Sequence, residues 1–215
     1  MILSFSGIDS AGKSTQVKLL SQYCKDHKIS NKTVWSKARG TPGIVFLKSL
    51  VRRDKQLDEK KKAEYRRNIY RNDNKAKLLY CLSLLDLCWY WGVYCRILGC
   101  IKRVLICDRY LWDTYVELKC DFPSINIDRS ILWRLLKKIT PKPKVSFVFV
   151  VPAEVSLARD QQKDADGIES IERKIEKINN YLDCLKKGCW TNEMDGLKTI
   201  DALHFEVINS ISKFL

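Results

Sequence analysis

Short apolar runs alternate with amphipathic stretches along most of this chain. The apolar runs lie at residues 2–5, 33–35, 104–107, 145–151 and 197–200, and each has the length of one β-strand. Helical spacing of apolar residues is found at residues 15–24, 130–138, 153–162, 168–187 and 205–214. Strands that alternate with helices predict an α/β fold with a parallel five-stranded sheet flanked by helices. Ligands of such a sheet bind at the carboxyl ends of its strands.

The first predicted strand runs directly into a phosphate-binding pattern. Residues 7–15 (GIDSAGKST) match G-x-x-x-x-G-K-[ST], and a predicted helix follows them. The glycines let the backbone N–H groups surround an anion, Lys13 can reach the β- and γ-phosphates, and the Ser14 hydroxyl can bind Mg²⁺. Because both flanking elements are present, we interpret this segment as a nucleotide triphosphate site rather than a turn between core elements.

A carboxylate and a guanidinium follow the third predicted strand. Asp108 ends the apolar run 104–107, and Arg109 comes next. Near a phosphate loop, Asp108 can hold Mg²⁺ and Arg109 can engage a phosphate oxygen through its fork of donors. A salt bridge that only tethers the strand end is the alternative, and the phosphate pattern favours the functional interpretation.

Length and composition indicate one cytoplasmic domain. The chain has 215 residues, 46% of them apolar, which suits a single domain over residues 1–215. Met1 leads straight into the first strand, so we expect no signal peptide. Nine cysteines without a C-x-x-C pair, and only two histidines, predict buried free thiols and argue against a zinc site.

Much of the net charge of +14 lies in one segment. Residues 52–77 hold eleven basic and five acidic residues, inside a helical region predicted at about 45–77. Such a stretch is usually a solvated helix face. The functional alternative is a basic rim for a polyanionic acceptor, with nucleic acid or an anionic membrane as weaker options.

Residues 78–101 form a nearly continuous apolar run that is long enough to span a bilayer. We expect no membrane span, because Asp86 and Arg96 lie inside the run and a charge near mid-bilayer costs ~2.5–3.5 kcal/mol. Burial in a larger protein fits better, with one face paired with another subunit. Cys81, Cys88 and Cys95 recur every seven residues, which is compatible with either core packing or a dimer contact.

Four segments together resemble the thymidylate kinase family. They are residues 2–18 (ILSFSGIDSAGKSTQVK), the triplet Asp108-Arg109-Tyr110, the stretch from Pro152-Ala153-Glu154 to Arg159, and Thr199-Ile200-Asp201-Ala202. They occur in the family's order over essentially the whole chain. The resemblance implies a P-loop nucleoside monophosphate kinase, usually a homodimer, that transfers the γ-phosphoryl group of ATP with Mg²⁺ to a small-molecule phosphate acceptor.

The resemblance also implies residue roles. Arg39 would hold the acceptor phosphate, Asp9 would face the acceptor, and Tyr80 would stack on its base. Arg159 and Ala202 would lie along the adenine, and residues 159–169 would form a mobile lid. The ATP-binding residues implied are Gly7, Ser10, Ala11, Gly12, Lys13, Ser14, Thr15, Arg159 and Ala202. The acceptor-side residues are Arg39, Tyr80, Leu84, Asp108 and Arg109, with Ser14 and Asp108 for the metal and Lys13, Arg109, Asp9 and Lys163 for catalysis.

The chain departs from the family pattern at three positions. Leu84 stands where the family places an arginine against thymine. A second arginine comes either from the phosphate loop, where this chain has Ser10, or from the lid, where it has Lys163 among polar residues. Lysine offers a point charge but no planar clamp. These departures put thymidylate in doubt as the acceptor of a nucleoside monophosphate kinase. They also leave open a kinase of a non-nucleotide phosphorylated acceptor and a nucleotide-binding module with weak or no catalysis. A nucleic-acid-dependent ATPase is a weaker option that rests on the charge alone.

Overall fold

A computed structural model describes residues 1–35, 73–161 and 171–215 of the chain. The five strands are β1 (Ile2–Gly7), β2 (Asn31–Trp35), β3 (Val104–Asp108), β4 (Val145–Val150) and β5 (Asn192–Asp195). They form one sheet in the order β2-β3-β1-β4-β5, and every neighbouring pair is parallel. The predicted fold class is confirmed.

Eight α-helices are described in these ranges. They are α1 (Lys13–Asp26), α2 (Asp73–Trp89), α3 (Cys95–Ile101), α4 (Leu111–Asp121), α5 (Ile131–Ile139), α6 (Ala153–Gln161), α7 (Ile171–Lys186) and α8 (Ile200–Ile211). A π-helical segment, Tyr90–Tyr94, joins α2 to α3, and short 3₁₀ turns occur at Ile127–Arg129 and Ser212–Phe214. Helix α4 has no counterpart among the predicted helices.

The sheet separates two apolar clusters, because successive side chains of a strand point to opposite faces. Leu105 and Cys107 of β3 pack into one cluster with helices α2, α4 and α5. Val104 and Ile106 pack into the other, with α1 and α8. The central strands are therefore apolar on both faces, which explains the continuous apolar runs in their sequences.

The fifth strand was predicted at the wrong residues. The apolar run 197–200 is not a strand: Leu197 is exposed, Thr199 caps α8 by accepting a hydrogen bond from the Ala202 N–H, and α8 begins at Ile200. The strand lies earlier, at Asn192–Asp195, where only Met194 is buried. An edge strand pairs on one side only, so its polar sequence gives little apolar signal.

The long apolar run forms α2, the π-helical segment and α3. By length and composition the stretch Ala76–Ile101 could cross a membrane, the one such helix in the described part of the chain. Its inner face, including Leu84, Leu87 and Trp91, is fully buried in the protein core.

The cysteine stripe on this helix packs against the core. Cys95 is buried, and the partly buried Cys81 and Cys88 pack against the same apolar cluster. All nine cysteines lie in the described ranges and are free, five of them buried. These contacts are those of core packing, and the dimer alternative stays a prediction.

Candidate functional site

The phosphate loop joins the end of β1 to the start of α1. Its first glycine, Gly7, has φ +130°, and a Cβ there would collide with the Phe149 carbonyl of β4. Gly12 has φ +92° and caps α1. The first helical turn closes at Gln16, whose N–H donates a hydrogen bond to the Gly12 carbonyl at 3.2 Å. The N–H groups before Gln16 point out of the helix end, which is the arrangement that binds phosphate.

A cavity opens above this loop at the carboxyl ends of β1, β2 and β3. Its lining residues in the described part of the chain are Asp9, Ser10, Gly12, Lys13, Ser14, Thr15, Trp35, Asp108 and Arg109. The strands converge there because Phe5 of β1 and Trp35 of β2 both pair in register with Asp108. The structure thus brings together most of the phosphate-loop residues, Asp108 and Arg109, as the sequence predicted.

Lys13 is folded back into the loop. Its side chain is buried, and Nζ donates a hydrogen bond to the Ile8 carbonyl. The pKa of Lys13 is lowered to about 7, mainly by burial and also by the charge of Arg109, although Asp9, Asp113 and Asp108 oppose the shift. A bound polyphosphate would add negative charge beside the amine, so the protonated form would be restored on binding.

Ser14 and Asp108 form a pair of oxygen ligands. The Ser14 hydroxyl donates to Oδ2 of Asp108 at 3.2 Å. Burial raises the pKa of Asp108, although the charges of Lys13 and Arg109 lower it. A hydroxyl and a carboxylate are ligands that Mg²⁺ accepts, and a cation beside them would offset the cost of burying the carboxylate.

Arg109 connects the end of β3 to the phosphate loop. Its guanidinium donates to the Gly7 carbonyl at 3.3 Å and forms an ion pair with Asp9. The residue has φ +75°, a backbone conformation that is rare for a side chain with a Cβ. A strained arginine held by several contacts beside a phosphate loop is typical of a functional position.

The sequence did not predict Asp113, which lies behind this arginine. Asp113 is buried; its Oδ1 accepts hydrogen bonds from the Gly7 N–H at 3.1 Å and the Tyr181 hydroxyl at 2.7 Å, and lies 3.6 Å from Arg109. Oδ2 accepts from the Tyr110 N–H at 3.0 Å. This one carboxylate therefore fixes the start of the phosphate loop and of helix α4 together.

Comparison with known proteins identifies the family to which this chain belongs. The sequence profile described as thymidylate kinase matches residues 5–207. The chain belongs to the thymidylate kinase family. Thymidylate kinase of Thermosipho africanus is 28% identical and covers all of this chain and 99% of its own length. That of Wolbachia from Culex pipiens is 27% identical, over 99% of this chain and 96% of its own. The crystal structure of thymidylate kinase from Ehrlichia chaffeensis has a TM-score of 0.56 at 18% identity and covers 98% of each chain.

As a member of the thymidylate kinase family, the protein is a nucleoside monophosphate kinase. Of its predicted ATP-side residues outside the phosphate loop, Arg159 contacts the loop directly. Arg159 donates to the Ser10 carbonyl at 3.3 Å and to the Gly196 carbonyl at 3.1 Å, so it links helix α6 to the loop and to the turn after β5. Ala202 is exposed in the first turn of α8.

Of the predicted acceptor-side residues of this thymidylate kinase-family chain, Asp108 and Arg109 line the cavity, whereas Tyr80 and Leu84 are not among its described lining residues. Tyr80 and Leu84 lie one turn apart on α2, and both are buried in the apolar cluster, where Tyr80 meets Phe122 edge to face. Arg39 and Lys163 lie outside the described residues, as do residues 36–72 and 162–170 as a whole.

Two site residues could have been found from weak signals. Trp35 lines the cavity and is half exposed, and it ends a predicted parallel strand as Asp108 does. Asp113 follows Tyr110 by three residues, the spacing at which a helix's third residue reaches back to its cap.

Proposed function

We propose that this protein transfers the γ-phosphoryl group of ATP to a nucleoside monophosphate. The observation that carries the proposal is the cavity at the strand ends, where a phosphate loop, Lys13, the Ser14–Asp108 pair and Arg109 converge. Phosphoryl transfer needs alignment of the acceptor oxygen and neutralisation of charge on the transferred group. Since the acceptor nucleophile is a phosphate oxygen, no side chain has to act as a strong base.

Each residue then has a distinct role. The loop N–H groups and Lys13 bind the β- and γ-phosphates, Arg109 stabilises charge on the transferred group, and Asp9 orients Arg109 from the acceptor side. Ser14 and Asp108 would hold Mg²⁺, which when bound neutralises phosphate charge. Arg39 and Lys163 remain predicted phosphate contacts. We also propose that the enzyme is cytoplasmic and that nucleic acid is not its substrate.

We expect thymidylate not to be preferred over other monophosphates. The position where the family resemblance places a thymine-binding arginine holds Leu84, an apolar side chain that is fully buried. A base edge without its donor loses a hydrogen bond that decides selectivity in such sites. The measurement is kcat/KM for thymidylate beside deoxyuridylate, deoxycytidylate, purine monophosphates and non-nucleotide phosphates.

Thymidylate kinase of Thermosipho africanus, assayed in parallel, is the positive control for thymidylate. Selective and efficient phosphorylation of thymidylate would contradict the expected selectivity and leave the reaction class intact. Turnover of a sugar phosphate alone would replace the nucleotide acceptor by a non-nucleotide one. ATP binding without turnover of any acceptor would favour a nucleotide-binding module that has lost catalysis.

We propose further that the enzyme is a homodimer formed through the outer face of the long helix. Apolar side chains follow one another there every three or four residues and are exposed. They are Leu78, Leu82, Leu85, Trp89, Val93, Ile97 and Ile101. A contiguous exposed apolar stripe of this length usually marks an interface.

The homodimer is tested by changing the most exposed aromatic residue of this stripe. Trp89→Glu places a charge in the proposed interface, so we expect it to convert the protein to monomer in sedimentation velocity at micromolar concentration. Phe205→Glu, at an equally exposed aromatic residue on α8, is the matched control and should leave the dimer unchanged. A wild-type protein that sediments as a monomer would refute the dimer.

A further inference from the structure

A buried lysine lies behind the phosphate loop and takes no part in the chemistry above. Lys174 of α7 has no exposed surface. Its Nζ forms an ion pair with Asp160, near the end of α6, and donates to the Ser156 hydroxyl at 3.0 Å. A lysine without exposed surface is rare, because burial of an ammonium group is costly unless the charge is paired.

Both partners of Lys174 also form a hydrogen bond with the phosphate loop. Asp160 accepts a hydrogen bond from the Ser10 hydroxyl through its other oxygen. Ser156 donates to the Asp9 carbonyl at 2.7 Å. The Lys174 ammonium group therefore holds two consecutive loop residues, Asp9 through Ser156 and Ser10 through Asp160.

Ser10 is the loop residue that most needs such support. Its φ is +57°, in the left-handed region that a residue with a Cβ adopts at a cost. A left-handed residue in such a loop turns neighbouring N–H groups toward one concavity, which is how backbone binds an anion. Ser10 also lines the cavity, so its conformation determines part of the phosphate-binding surface.

The pair acts through geometry rather than through charge. Lys174 and Asp160 are oppositely charged and in direct contact, so together they produce little field at the cavity. Lys174 is also not one of the residues described as lining the cavity. Partial burial raises the pKa of Asp160, but the hydrogen bonds from Lys174 and Ser10 outweigh it and lower the pKa, so the carboxylate stays ionised and able to accept both bonds.

We propose that Lys174 is a positioning residue for nucleotide binding: through Asp160 it holds Ser10 in the conformation that presents the phosphate loop to ATP. This inference rests on the proposed function, because it requires the loop to bind ATP. It assigns a role to a residue on a helix that the sequence predicted only from its apolar spacing. The ion pair between Lys174 and Asp160 fixes Ser10 in place. In the family pattern an arginine is expected either at this position or in the lid.

A double-mutant cycle separates positioning through Ser10 from general stabilisation. The equilibrium Kd for ATP in the presence of Mg²⁺ is measured for wild type, Lys174→Met, Ser10→Ala and the double variant, with unfolding by denaturant measured in parallel. We expect Lys174→Met to raise the Kd for ATP by about tenfold when Ser10 is present, and by about twofold or less in the Ser10→Ala background. If Lys174→Met fails to fold, Asp160→Asn replaces it in the same cycle, with the same expected coupling.

Lys177→Met is the matched control. Lys177 lies three residues further along the same helix, is also buried, and pairs with Glu117 of α4 at 2.9 Å. We expect Lys177→Met to change the Kd for ATP by the same factor whether residue 10 is serine or alanine. An equal factor for Lys174→Met in both backgrounds would overturn the positioning role. A wild-type protein that does not bind ATP would overturn the proposed function, and this inference with it.

Discussion

The Lys13→Met variant is expected to lose ATP-dependent phosphoryl transfer by about 10²–10³-fold in kcat, the range seen when one group that stabilises transition-state charge is removed. The reason is that Lys13 is the buried lysine of the phosphate loop and lines the same cavity as Ser14 and Asp108. Methionine keeps the length of the side chain and removes its charge. The measurement is steady-state kinetics with a monophosphate acceptor.

Lys18→Met is the matched control, since Lys18 is exposed on the same helix and away from the loop. It should keep wild-type kcat. A folded Lys13→Met protein with wild-type turnover would refute the role of Lys13 in transfer.

The lowered pKa of Lys13 gives a second, independent readout on the same variant. With a pKa of about 7 in the nucleotide-free protein, the amine is largely neutral at pH 8, and bound phosphates restore its charge. Nucleotide binding at pH 8 should therefore take up a proton, seen as a dependence of the calorimetric heat on buffer ionisation enthalpy. Lys13→Met should lose this component. Between pH 7 and 10.5 the unfolded chain holds the Lys13 proton more tightly than the folded one, so the Lys13 contribution to stability rises with pH in that window.

The Arg109→Lys variant is expected to lose about 10²-fold in kcat/KM although the charge is kept. The guanidinium reaches the Gly7 carbonyl and Asp9 at once and lines the cavity. An ammonium group has no planar fork, so it cannot keep these contacts and also engage a phosphate oxygen. The measurement is kcat/KM for ATP at saturating acceptor.

Arg103→Lys serves as the control for this change. Arg103 is exposed just before β3, at the opposite end of that strand from the cavity. It should keep wild-type kinetics. Undiminished kcat/KM in Arg109→Lys would show that the charge of Arg109 is sufficient and that its fork geometry is not used.

The parts of the site that could be predicted from sequence are those with a local signal. The phosphate loop is contiguous, and Asp108 and Arg109 follow an apolar strand that is buried on both faces, so spacing alone located them. The edge strand Asn192–Asp195 was missed because burial on one side leaves it polar, while the apolar residues after it belong to a helix cap and its first turn. The sequence pattern alone does not show whether apolar residues such as Leu197 and Ile200 are exposed or lie in a buried strand.

Buried charge explains the other differences. Helix α4 carries Asp113, Glu117 and Asp121 every four residues, a pattern typical of a solvated face. In the fold they meet Tyr181, Lys177 and Arg173 of α7, so the acidic stripe lies in an interface between helices. Lys174 is hidden from sequence analysis for the same reason. Pairing across helices is set by tertiary packing, which periodicity in one segment does not encode.

The assignment of Tyr80 and Leu84 to the acceptor site depends on the family resemblance alone. Tyr80 and Leu84 were assigned by matching positions in the family pattern, and both lie in the apolar core. A matched position transfers a role only when the side chain can still perform it, and leucine has no polar group to offer a base.

Transfer of the terminal phosphoryl group from γ-labelled ATP to an unlabelled monophosphate tests the kinase assignment most directly. The protein is incubated with Mg²⁺, labelled ATP and a set of nucleoside monophosphates, and the products are separated. We expect label in a nucleoside diphosphate, one equivalent of ADP formed for each, and neither product without the acceptor. Label released only as inorganic phosphate, or ATP consumption that no monophosphate increases, would contradict the assignment.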